Sequence, residues 1–261
     1  MNTEQLLLTL ISGTLIGGVA GYAGSLMLSR KMSATAGPLA HLAFPGVALA
    51  IILGINISFG VFPFIVLAAL LIWALEIKTS LPAENLAAIV FASGVGVSLL
   101  FLPIDQAEEA LVGSIGRISL PETIFILSMA AFLFIVLSKL YNKIMMINVN
   151  EHIATIEGIN VKIYNLIYFL CVGLVVALGV YLVGGLITAA LIAIPAAAAR
   201  NVSSGLVHYR LAAILFGATA AFLGIIIAYS TSLPIGPLVV VVGVVLFAVS
   251  LFAKKLSFIR A

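Results

Sequence analysis

Charge is what this 261-residue chain lacks most: 8 % of its residues are Asp, Glu, Lys or Arg, against 64 % hydrophobic ones. Soluble domains carry roughly 25 % charge, so a water-soluble enzyme and a disordered chain are both excluded. Cysteine is nearly missing too. Cys171 alone cannot build a disulfide framework or a multi-cysteine metal cage. Basic residues number 12 against 9 acidic ones, a net charge of +3, which is too few for a nucleic-acid surface. No Gly-x-x-x-x-Gly-Lys-Ser/Thr phosphate loop occurs, so the chain does not hydrolyse nucleotide by itself.

What is present is a series of long uncharged runs: 5–29, 32–75, 85–104, 123–138, 163–199 and 211–253. One transmembrane helix needs about 20 apolar residues. Three of the runs fit one span each. The runs 32–75, 163–199 and 211–253 fit two each, provided a turn falls midway. Turn chemistry is found there, at Gly54 to Gly60, at Gly184-Gly185 and at Ser230 to Pro237. The expected fold is an all-α polytopic membrane protein, one domain over 1–261, with eight or nine transmembrane helices. The weakest span is 123–138, which would borrow Tyr141 and a snorkelling Lys139.

Nine alternating spans place Arg30, Lys31, Lys78, Lys139, Lys143, Lys162, Arg200, Arg210, Lys254, Lys255 and Arg260 on one face. Arg117 falls opposite, in a loop with Asp105, Glu108, Glu109 and Glu122. The positive-inside rule makes the basic face cytoplasmic, with the N-terminus outside and the C-terminus inside. The first run follows an acidic Met-Asn-Thr-Glu and is too long for a signal h-region, so it reads as a retained helix. Its Gly13, Gly17, Gly21 and Ser25 form a stripe that lets another helix approach closely. Packing within the same subunit is the plainer reading of that stripe.

A bundle with loops this short moves a solute or acts on lipid. Intramembrane hydrolases need convergent Ser/His, Asp/Asp or multiple His groups, and the uncharged runs offer no carboxylate. Proton-coupled carriers generally keep buried Asp, Glu, Lys or Arg in the path, and none of these lies in mid-membrane here. An external energy source fits better, and an ATPase would then have to dock on the cytoplasmic face. The segment 139–162 is the longest cytoplasmic one. Within it, Asn150 is placed to N-cap a short helix from Glu151 to Glu157, stopped by Gly158. That helix mixes apolar Ile153, Ala154 and Ile156 with polar His152, Thr155 and Glu157, so it suits either a docked partner or the headgroup layer.

The chain resembles the permease subunits of the bacterial ABC importers for zinc, manganese and iron. The likeness covers nearly the whole length, in order: Leu28-Ser-Arg-Lys-Met-Ser33, Leu39-Ala-His-Leu-Ala-Phe-Pro-Gly46, Glu84 to Ile89, Leu111 to Ile115, Glu151 to Gly158, Gly184 to Arg200, and Leu233-Pro-Ile-Gly-Pro237. The resemblance implies a homodimer with a central path, two cytoplasmic ATP-binding subunits and an extracytoplasmic metal-binding protein. It implies that this chain is not an enzyme and holds no resident cofactor, the divalent metal being cargo and ATP being used by the partner. It implies ATPase coupling at Glu151, His152, Ala154, Glu157 and Gly158, in a multi-pass protein of a prokaryotic cytoplasmic membrane. The sequence departs from the family where many members carry acids, with Gly37, Asn85 and Ser232 in their places.

His41 is the sole histidine within the uncharged runs. Neutral imidazole suits Zn²⁺, Mn²⁺ or Fe²⁺, and two copies across a dimer axis would flank one path. A His bonded to a neighbouring helix is the alternative. His152 and His208 read as solvated, and Cys171 and Met32 as packing residues. Two further readings stay open. The same machinery could import a chelate, which brings its own ligands, or the chain could be an ion-coupled secondary carrier.

Overall fold

The computed structural model describes residues 3–29, 43–55, 57–79, 81–101, 119–184 and 187–259. Within them regular structure is entirely helical. The elements are α1 Thr3–Ser29, α2 Ala43–Leu53, α3 Ile57–Thr79, α4 Ala83–Phe101, α5 Leu120–Val149, α6 Glu151–Ile156, α7 Val161–Val183, α8 Thr188–Val202, α9 Leu206–Thr231 and α10 Ile235–Ile259. Six stretches are long and apolar enough to cross a bilayer: Thr3–Ser29, Gly60–Thr79, Leu120–Val149, Val161–Val180, Leu206–Thr231 and Ile235–Lys254. Ala83–Val97 and Thr188–Val202 are apolar but shorter.

Turns fall where the uncharged runs were expected to divide. Gly54 and Gly184 have φ of 64° and 85°, and Ser232 follows α9 at φ 56°. A side chain rarely tolerates that region, so these positions stop one helix and let the next turn back.

Glycine then sets how closely the helices pack. Along α1, Gly17 faces Gly217, Gly21 faces Ala213 and Gly24 faces Ile192. The small-residue stripe therefore serves packing inside this chain, and α1 is the buried centre of the bundle, against α9, α8, α5 and α7. The order of the pairs, 17 with 217 and 21 with 213, makes α1 and α9 antiparallel. Ser12 meets Thr123 at 3.5 Å and Tyr22 meets Ser138 at 3.4 Å, so α1 and α5 are parallel. The α2–α3 pair is equally close, since a Cβ on Gly46 would lie 2.7 Å from the Gly60 carbonyl oxygen.

These pairings gather Lys78, Lys143, Lys162, Arg200, Arg210 and Lys254 at one end of the bundle, called here the basic end. Arg210 lies 5.6 Å from the Tyr141 ring, which stacks on Tyr22 at 5.5 Å. Lys143 donates to the Tyr164 hydroxyl at 2.6 Å. Asn201 donates to Ser250 at 3.0 Å, bringing the last turn of α8 beside α10.

One expected span is longer than its uncharged run. The run 123–138 takes in Lys139 and Tyr141 as expected, and is the middle of a helix that continues to Val149. Its buried residues, Thr123, Ile126, Ala130, Leu133, Leu137, Tyr141 and Ile144, recur at helical spacing beyond the two lysines. Lys139 and Lys143 stand on the exposed side, so they interrupt the hydropathy without interrupting the helix. The polar segment 139–162 is correspondingly shorter, because its first eleven residues belong to α5.

Candidate functional site

The basic end carries one element that spans nothing, the six-residue α6. A helix this short has almost no stability of its own, so its ends and its seat must hold it. Asn150 caps the start, its side-chain oxygen accepting from the amides of His152 at 2.9 Å and Ile153 at 3.2 Å. The far end closes in a Schellman turn. The Ile159 amide donates to the Ala154 carbonyl and the Gly158 amide to the Thr155 carbonyl, both at 3.0 Å. Gly158 sits at φ 78°, the left-handed position such a stop requires. Asn150 as cap and Gly158 as stop match the sequence expectation; Glu157 is the cap residue rather than the last helical one.

The seat is Ala154. It is 0 % exposed and packs with Ile147 at the end of α5 and Val161 at the start of α7, flanked by Met146, Ile159 and Tyr164. Its methyl group fills the seat. Its neighbours point away from the bundle. Ile153 is 51 % exposed, Ile156 84 % and Val149 86 %. Glu151, His152, Thr155, Glu157 and Gly158 are exposed as well. Of the five expected coupling residues, four thus lie on the outer surface or its edge and one, Ala154, anchors it from beneath. Ile153, Ile156 and Val149, absent from that set, form the apolar part of this surface. Their signal was the exposed isoleucines of an otherwise polar short helix.

Two ties hold α7 beside this seat. The Trp73 indole N–H donates to the Lys162 carbonyl at 2.9 Å. Lys143 donates to Tyr164 and lies 5.0 Å from its ring centroid.

His41 and Gly37 fall outside the described residues. Asn85 is exposed in the first turn of α4, at the basic end, where its amide donates to the Pro82 carbonyl. Ser232 is exposed in the turn after α9, at the opposite end. Among the described residues no group of three or more His, Cys, Asp or Glu could hold a metal ion. His152 and His208 are exposed and Cys171 is buried in the core.

A helical multi-pass bundle with a short, partly apolar helix presented beyond its basic end is the architecture of a membrane transport protein. The chain matches the family model described as the ABC 3 transport family over residues 2–254, and it belongs to that family. It is 27 % identical over 247 residues to the manganese import system permease protein ScaB of Streptococcus parasanguinis, covering 93 % of this chain and 88 % of that one. It is 23 % identical over 252 residues to the high-affinity zinc uptake system membrane protein ZnuB of Buchnera aphidicola, covering 94 % and 97 %. Its fold is similar to that of a chain in PsaBC from Streptococcus pneumoniae in complex with Fab, with a TM-score of 0.82 and 24 % identity, over 95 % and 91 % of the two chains. The protein is a transport subunit, multi-pass in the cytoplasmic membrane.

Proposed function

We propose that this chain is the permease of an ATP-driven importer for a divalent transition-metal ion, manganese, zinc or iron, and that a separate cytoplasmic ATPase grips α6. The observation that carries the reading is α6 itself: capped at both ends, seated by one methyl group, and leaving Ile153 and Ile156 exposed among the described residues. Exposed isoleucines on a polar surface suit a partner's groove. The basic end is cytoplasmic by the positive-inside rule, which puts α6 on the side where ATP is found. The names of the relatives, for manganese and zinc, support a metal as cargo.

In this reading α1 to α5 and α7 to α10 are nine spans, the short α2 and α8 included. Two copies enclose the path, and an extracytoplasmic metal-binding protein delivers the ion. Closure of the ATPases displaces α6, and the rigid bundle passes the displacement on as alternating access. His41, two residues before α2, is the proposed ligand in the path. A capture protein can supply the affinity, so transit needs only a weak site.

Import of a chelate by the same machinery is the second reading. Gly37, Asn85 and Ser232, neutral where the resemblance leads one to expect acids, favour it, since a chelate brings its own ligands. The test is uptake of labelled Mn²⁺, Zn²⁺, Fe²⁺ and their chelates into vesicles, with and without the cognate ATPase and capture protein. Free-ion uptake that needs both partners is expected. Uptake of the chelate alone replaces the first reading by the second, and uptake without the ATPase removes both.

A further inference from the structure

The seat of α6 touches α5 and α7, whereas the proposed path residue His41 precedes α2. α7 packs along α3 and touches α2 itself only slightly, so α3, which is closely packed on α2, is the broader route from α6 to α2. At the basic end a polar contact ties α7 to α3. Val161, the first residue of α7, packs on Ala154 of α6. Lys162, the next residue, gives its carbonyl to the Trp73 indole of α3 at 2.9 Å. Farther along, α3 is locked to α2, where Gly46 and Gly60 approach backbone to backbone. On the other flank Lys143 of α5 grips Tyr164 of α7 at 2.6 Å. Hence α5, α7 and α3 are fastened together within a turn of the point where α6 pushes.

We infer that Trp73 is a positioning residue for transport: its bond to the Lys162 carbonyl carries the movement of α6 from α7 into α3 and so to α2. The inference rests on the reading of α6 as the ATPase contact. A tryptophan at a membrane edge commonly anchors a helix in the headgroup layer. Here the indole N–H is spent on a backbone carbonyl of another helix, and the residue just before that carbonyl, Val161, packs on α6. A mere anchor would need the ring and not this bond. A backbone acceptor also has no rotamer freedom, so the link is stiff at its α7 side.

The test uses the complete importer, this chain with its cognate ATPase and capture protein, in vesicles loaded with ATP on the ATPase side. ATP turnover and Mn²⁺ uptake are measured together for wild type, Trp73→Phe and Ala154→Glu. Trp73→Phe keeps an aromatic ring and loses the N–H. It is expected to keep ATP turnover within a factor of about two and to lower ions moved per ATP about five-fold, the equilibrium worth of one hydrogen bond. Replacing Trp73 by benzothienylalanine, which keeps the bicyclic shape without the N–H, must give the same loss, and serves if the phenylalanine variant fails to assemble. Unchanged ions per ATP in an assembled variant overturns the inference. The two layers separate cleanly. Uncoupling by Ala154→Glu without uncoupling at Trp73 discards the role of Trp73 alone. Normal coupling in Ala154→Glu discards the reading of α6 on which it rests.

Discussion

Gly17 of α1 and Gly217 of α9 lie backbone to backbone, and a Cβ on either one would run into the other's carbonyl oxygen. Without a hydrophobic drive between helices in lipid, such close packing is what holds a bundle together. Gly17→Ala and Gly217→Ala are each expected to cost about 1–3 kcal/mol by overpacking. Thermal unfolding of the purified chain in detergent checks this against Gly96→Ala, where the added methyl meets open space. The control variant should be neutral or slightly stabilised.

Ser232 occupies the left-handed region at φ 56° and is exposed. A residue other than Gly, Asn or Asp in this region costs about 1–2 kcal/mol. Ser232→Gly and Ser232→Asn should therefore raise the unfolding temperature, and the β-branched Ser232→Val should lower it. Asp also tolerates this conformation. Ser232→Asp should therefore keep the turn and, in the chelate reading, shift uptake toward the free ion.

The stop and cap of α6 make a matched pair of tests. Gly158→Pro removes both the left-handed conformation and the amide that donates to Thr155. Asn150→Ala removes the cap, at about 1 kcal/mol. Both should speed hydrogen exchange in 151–158 while leaving α1 protected, and both should lower uptake per ATP, the proline more. Normal uptake by Gly158→Pro would count against the proposed role of α6.

His41→Ala should abolish metal uptake while the subunit still assembles with its ATPase. Equilibrium binding of Mn²⁺ or Zn²⁺ to the purified complex gives a second readout, since loss of a ligand weakens it and loss of packing does not. Full uptake in whole cells would remove His41 from the path.

The membrane architecture was legible in the sequence because it rests on one-dimensional signals. Uncharged runs gave the helices, glycine gave the turns at Gly54 and Gly184, and the basic residues gave one end. The ends of α6 were legible because Asn150 and Gly158 act locally. Three features were not. The continuation of α5 to Val149 was hidden by Lys139 and Lys143, whose charges lower hydropathy although they stand on the exposed side of a helix buried on the other. The interior place of Ala154 depends on Ile147 and Val161, which the linear sequence puts in two different helices. The bond from Trp73 to Lys162 joins residues 89 positions apart, and nothing local announces it.

The central claim is that α6 is where motive force enters this bundle. Ile156→Cys offers the most direct test, because this side chain is 84 % exposed and the native Cys171 is buried. In the assembled complex, a short bifunctional maleimide-to-amine reagent should join position 156 to the cognate ATPase, and the adduct should change in yield when ATP is added. Leu233→Cys, exposed at the opposite end, should give no such adduct. An ATPase adduct from position 233, or labelling of position 156 in whole cells by a membrane-impermeant thiol reagent added outside, would contradict the account.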